Sequence, residues 1–182
     1  MKRQKGFTLP ELLVTIACIA ILLAIGVPSF RYVRNNYRIT GEINGLLGDL
    51  QYARAEAIKE GQWVTACVSN NGTTCAGTTT WAQGWIVYSN PLNNNVPAAG
   101  SVLRIQAAFT GAFPDTFNAS NGVTAITFNR EGFATTAAGF PNTTITLHER
   151  TSNPTWTQCL WITPVGLMTT ETPANNPSGT CA

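Results

Sequence analysis

Polar and apolar positions divide this chain into three stretches. Lys2-Arg3-Gln4-Lys5 is polar and basic, and from Phe7 to Phe30 the chain is apolar with Glu11 as its one charged side chain. As a helix rising ~1.5 Å per residue, Phe7 to Phe30 reaches about 36 Å, enough to span a bilayer. The basic residues favour keeping the N-terminal end cytoplasmic, which places the rest outside.

Beyond Phe30 apolar residues recur in steps of three and four. Ile39, Ile43, Leu46, Leu47, Leu50, Ala53, Ala57 and Ile58 fall on one face of an amphipathic helix, with Arg38, Glu42, Asp49, Arg54, Glu56 and Lys59 on the others. The pattern predicts one helix from about Leu9 to Glu60, stopped at Gly61. Gly26-Val27-Pro28 should kink or loosen it, because proline removes a backbone bond and crowds the preceding turn. Gly41, Gly45 and Gly48 each cost the helix up to about 1 kcal/mol relative to alanine. Their spacing gathers them near one face. A tight fit against the protein's own sheet is the favoured reading, ahead of a contact between subunits.

From Gln62 onward the helical spacing gives way to short runs. Short β-branched and aromatic runs predict strands at 63–68, 84–89, 102–108, 125–128, 132–135, 143–148, 158–163 and 167–170. Turn pairs such as Asn90-Pro91 and Asn121-Gly122 separate them. The expected fold class is α+β: a long N-terminal helix, half membrane-like and half amphipathic, packed on an antiparallel two-sheet head.

Charge and cysteines narrow the chemistry. The formal net charge is +2. Past Gly61 the charges are Arg104, Arg130 and Arg150 against Asp115, Glu131, Glu149 and Glu171, which leaves no basic stripe for phosphate binding. Cys18 lies in the apolar run, where a thiol acts as a small apolar residue. Cys67, Cys75, Cys159 and Cys181 should be bridged in an oxidising compartment. Three connectivities are open. Local pairing, Cys67 with Cys75 and Cys159 with Cys181, is favoured because Asn70-Asn71-Gly72 supplies a turn between the first two. Without CxxC spacing and with His148 the one histidine, no metal site is expected. His148 reads as a half-buried strand residue, and no catalytic constellation or cofactor motif emerges. Trp63, Trp81, Trp85, Trp156 and Trp161 could stack bases or sugars, but core packing is the default for most; Trp156 is the best candidate for exposure.

Lys5-Gly6-Phe7-Thr8-Leu9-Pro10-Glu11 resembles the leader and first mature residues of type IV pilins and type II secretion pseudopilins. That resemblance implies that residues 1–6 are a leader, 7–30 a transmembrane and assembly helix, 31–61 its amphipathic half and 62–182 the head. It implies cleavage between Gly6 and Phe7 by a prepilin peptidase, N-methylation of Phe7, and pairing of Glu11 with the terminal amine of a neighbouring subunit. The physics agrees. A carboxylate in hydrocarbon costs roughly 2.5–3.5 kcal/mol or more and needs a partner. Pro10 departs from the family's larger aliphatic residue, but proline is tolerated in a first helical turn. An ordinary secretory signal would be cut after the apolar run, near Gly26-Val27-Pro28-Ser29; Glu11 sits badly in such a segment, and the helical pattern continues past it.

Leu50-Gln51-Tyr52-Ala53-Arg54-Ala55-Glu56-Ala57-Ile58, Trp81-Ala82-Gln83-Gly84-Trp85-Ile86-Val87 and the closing Cys159-Leu160-Trp161-Ile162 are similar to segments of the FimT/FimU/GspH group of minor pilins and pseudopilins. This implies a structural, non-enzymatic subunit. It would start in the bacterial inner membrane as a single-pass protein with a periplasmic head, then join or prime a type IV pilus for adhesion, twitching motility or DNA uptake. Its partners would be other pilins, with a type II secretion pseudopilin as the alternative. A further alternative is a DNA-binding minor pilin, whose Gly-Arg-x-Arg motif would fall on Gly166-Leu167-Met168-Thr169. Both arginines are missing there, and direct DNA binding is not expected.

Overall fold

The computed structural model describes residues 8–94, 96–109, 115–137, 139, 142–149 and 153–181. Gly6, Phe7 and Arg150, singled out above, lie outside them. The chain divides into two compact units, Met1–Arg38 and Ile39–Ala182.

Helix α1 (Leu9–Glu60) runs from the first unit into the second, and its α-helical assignment continues through Gly26-Val27-Pro28. It opens with the Thr8 carbonyl accepting from the Leu12 N–H at 3.1 Å. Pro10 falls in the first turn, where an N–H would have no helical acceptor. It closes where Gly61 turns left-handed (φ +66°), so that the Gln62 N–H reaches back to Ala57 O at 3.3 Å.

Among the described residues nine antiparallel strands follow. β1 (Val64–Val68), β2 (Gly84–Ser89), β3 (Val102–Ala107), β5 (Ala125–Phe128) and β6 (Ala134–Thr135) form one sheet in the order β3-β2-β1-β5-β6. β4 (Thr116–Ala119), β7 (Thr143–His148), β8 (Gln158–Ile162) and β9 (Met168–Glu171) form the other in the order β4-β7-β8-β9.

The core lies between the second half of α1 and the two sheets. Ile39, Ile43, Leu46, Leu50, Ala53 and Ala57 are buried there with Val64, Ala66, Val68, Trp85 and Val87 from the first sheet and Phe117, Ile145, Leu147, Leu160 and Ile162 from the second. Each large aliphatic side chain so buried is worth about 1.5–3 kcal/mol. Trp81, Trp85, Phe109 and Phe117 pack tilted, edge to face or stacked at centroid distances of 5.9–6.4 Å. A smaller cluster, Cys67, Ile86, Tyr88 and Ala125, covers the other face of the first sheet. There the Tyr88 hydroxyl donates to Asn94 O at 3.3 Å, and burial pushes the phenol above its ordinary value.

Two disulfides join the cysteines locally. Cys67–Cys75 ties the 69–76 loop to β1, and Cys159–Cys181 ties the tail to β8. Within that tail Asn176 Nδ2 donates to Cys181 O at 2.8 Å, and Ser178 donates to the buried Glu171 carboxylate at 2.5 Å.

A polar network fastens α1 to the first sheet. Asp49 accepts from the Trp85 indole N–H and from Arg104, both at 2.9 Å, and the Arg104 guanidinium lies 3.9 Å from the Tyr52 ring centre. Asp49→Ala would leave the buried Trp85 N–H without its acceptor. It is expected to lower unfolding free energy by about 2 kcal/mol, measured by urea denaturation.

Several expectations need correction. A Cβ added at Gly41, Gly45 or Gly48 would meet nothing within 4 Å, so these glycines do not admit the protein's own sheet. They lie away from the stripe of Ile39, Ile43, Leu46 and Leu50 that meets the sheets. Ile58, read as part of the apolar face, is 50% exposed. Trp156 is part-buried against the core rather than exposed. Strand β4 escaped detection because it has four residues, of which only Phe117 is buried. Strand β6 starts at Ala134, not residue 132, because residues 129–132 close a turn through Gly132 N–H to Asn129 O at 2.9 Å. The last strand starts at Met168 because Thr163–Leu167 is a turn, with Thr163 N–H bonded to Leu167 O at 2.9 Å.

Candidate functional site

In the first unit, Leu12, Leu13, Ile16, Ile19, Leu22 and Ile25 are each more than half exposed, and at 100° per residue they point all round α1. A helix apolar on every side suits hydrocarbon or a bundle of like helices, not water. The Thr15 hydroxyl donates to Leu12 O at 2.8 Å, which satisfies a polar group in that setting without a partner from outside the helix. Cys18 is a free, exposed thiol on the same stretch. Glu11 is exposed in the first turn, where unsatisfied backbone N–H groups favour a negative charge. Gly6 and Phe7, the other residues of the predicted assembly site, lie outside the described residues.

In the head, the positions of the sought arginine motif sit at the β8–β9 turn. Gly166 has φ +76°, and a Cβ there would lie 2.3 Å from Gly132 O and 2.8 Å from Arg54 Nε. Arg54 is bonded to both turns there: its Nε donates to Gly132 O at 3.0 Å and its Nη2 to Val165 O at 3.4 Å. One helix side chain thus links the β5–β6 turn of one sheet to the β8–β9 turn of the other. Leu167 is exposed, Met168 part-buried against the core and Thr169 exposed. Nothing in the sequence flagged Arg54, since its acceptors are backbone carbonyls 78 and 111 residues away.

His148 is part-buried, with Nδ1 3.0 Å from Thr157 Oγ1. Among the described residues no group of three or more His, Cys, Asp or Glu side chains could hold a metal ion. Trp81 and Trp85 are buried in the core, whereas Trp63 is part-buried and lines an open cavity.

An apolar helix with a first-turn acid, continued into a head of two antiparallel sheets, defines a type IV pilin-like subunit. Residues 42–166 match the family model of type II transport protein GspH, and residues 1–27 match that of the prokaryotic N-terminal methylation motif. The chain belongs to the family of type II transport protein GspH and carries the prokaryotic N-terminal methylation motif. Two crystal structures of the type IV minor pilin FimU of Pseudomonas aeruginosa share the fold. One has a TM-score of 0.57 at 19% identity, covering 84% of this chain and 96% of that one. The other has a TM-score of 0.54 at 20% identity, covering 80% and 96%. Two fimbrial proteins of Pseudomonas aeruginosa are 34% identical over 73 residues, or 40% of this chain. The chain spans about half the length of these curated relatives, 47%.

Proposed function

We propose that this chain is a minor pilin, inserted in the bacterial inner membrane with its head in the periplasm, cut by prepilin peptidase between Gly6 and Phe7, methylated at Phe7 and drawn into a type IV pilus. The observation that carries the reading is Glu11, a carboxylate in the first turn of a helix otherwise apolar on every side. Cleavage creates the amine that this acid lacks. In a dry bundle of like helices the pair attracts far more strongly than in water and sets the axial register between neighbours. The side chains of Leu12 to Phe30 pass from lipid into that bundle without meeting water. Gly41, Gly45 and Gly48, open on the helix surface, leave room for a neighbouring backbone.

The GspH match supports a second reading, a minor pseudopilin of a type II secretion system with the same processing and the same role for Glu11. Direct DNA binding is not part of either reading. The described arginines of the head are each bonded to the protein's own groups: Arg54 with Gly132 and Val165, Arg104 with Asp49, Arg130 with Glu131. Little positive charge remains to release counterions from DNA.

Gly6→Val is expected to leave the chain uncut, migrating as the heavier precursor on an immunoblot of membranes and missing from sheared filaments. Normal processing of this variant would remove the proposed cleavage site.

A further inference from the structure

The cavity beside Trp63 has a volume of about 390 Å³ and is lined by Gly61, Gln62, Trp63, Pro91, Asn129, Arg130 and Glu131. Its position follows from strand register. Val64 at the start of β1 pairs with Ser89 at the end of β2 and with Phe128 at the end of β5. The residue before Val64 is therefore flanked by the turns that begin at Asn90 and Asn129, and the left-handed Gly61 delivers Trp63 between them.

Hydrogen bonds hold the walls and leave some polar groups of the lining residues unused. Asn90 N–H donates to Trp63 O, and Asn90 Nδ2 to Thr65 Oγ1, both at 2.8 Å. Gln62 Nε2 donates to Ser89 Oγ at 2.9 Å. Asn129 Oδ1 accepts from the Glu131 N–H at 3.0 Å and the Phe133 N–H at 2.8 Å. That leaves the Trp63 indole N–H and the Asn129 amide N–H groups without a protein acceptor among the described residues. Arg130 Nε donates to Glu131 Oε1 at 2.8 Å, so the charged part of the lining is neutral as a pair. The bond from Arg130 also holds the Glu131 carboxyl below its ordinary range, so it stays an ionised acceptor at neutral pH.

An indole, an amide with idle donors, a glutamine carbonyl and a neutral ion pair make a specific chemical demand. The ligand should have an apolar face to lie on the ring, several hydroxyls around its rim and no net charge. A phosphate or carboxylate would meet the ionised Glu131 beside the Arg130 cation. A sugar ring meets the demand, with C–H groups on its face and vicinal hydroxyls at its edge. The volume is at the small end of ligand-sized cavities, which begin at about 300 Å³, and suits one or two sugar residues. We infer that the Trp63–Asn129 cavity is a binding site for a neutral saccharide. This goes beyond a role in assembly and stands on the head alone, so it holds or fails separately from cleavage and from Glu11.

The test uses the full chain labelled with 5-fluorotryptophan in phospholipid nanodiscs, free of glycoside detergents, and followed by fluorine NMR. The probes are the methyl glycosides of glucose, galactose, mannose and N-acetylglucosamine, with glucuronate as the charged comparison. For at least one neutral glycoside, the Trp63 resonance, assigned by its loss in Trp63→Phe, should move saturably with a Kd on the order of 1 mM. Asn129→Asp keeps the acceptor that closes the turn but removes the amide donor, and should weaken that binding about fivefold or more with the other tryptophan resonances in place. Glucuronate should bind at least about tenfold more weakly. The inference is overturned if no neutral glycoside moves the Trp63 resonance, if another tryptophan responds instead, if glucuronate binds as well, or if Asn129→Asp binds like the parent.

Discussion

A Glu11→Val chain is expected to insert into the membrane and be cut like the parent, yet to be recovered from sheared filaments at roughly a hundredth of the parent's level or less. Removing one partner of a buried ion pair costs about 3–5 kcal/mol, because the remaining charge, here the Phe7 amine, is left uncompensated in a dry setting. Each 1.4 kcal/mol is about a factor of ten in an equilibrium. In the membrane the substitution deletes a charge from an apolar helix, so insertion should be no worse. The readout is the ratio of filament to membrane pools on quantitative immunoblots. A parental ratio would remove the carboxylate from the assembly mechanism and leave only apolar packing of Leu12 to Phe30 to drive it.

The second large effect concerns the head. Replacing Cys159 and Cys181 together by serine is expected to lower its stability by about 3 kcal/mol, since the bridge closes a loop over a sequence separation of 22. For a chain of this size that is a fall in Tm on the order of 10 °C. The tail it holds is otherwise kept by a few polar contacts, Asn176 to Cys181 and Ser178 to Glu171 among them. The shorter Cys67–Cys75 loop, with a separation of 8, should matter less. Thermal unfolding followed by circular dichroism checks both, and a double-serine Tm within a degree or two of the parent's would contradict the tail's dependence on its bridge.

The helix and most strands were legible in the sequence because their signals are local. A three-to-four spacing from Ile39 to Ala57, a left-handed glycine at 61 and β-branched runs bounded by Asn-Pro and Asn-Gly turns are each decided within a few residues. What escaped depends on partners far along the chain. β4 is too short for a pattern and forms because Phe117 finds Leu147 across the sheet. Arg54 looked like one more surface charge, and only the return of residues 132 and 165 to the same helix turn reveals its role. Gly41, Gly45 and Gly48 were legible as a stripe but not as to what faces it, since a period locates a face without naming its neighbour. The acid at Glu11 could be read as needing a cation from the cost of burial alone; the Trp63 cavity could not, because three separate turns build it.

The account depends most on a new amino terminus being made beside Glu11. Mass spectrometry of N-terminal peptides from the protein recovered in filaments measures that directly. The prediction is a terminus at Phe7 carrying one added methyl group on its amine. A chain still beginning at Met1 with no trimmed form, or one beginning near Ser29, would contradict it.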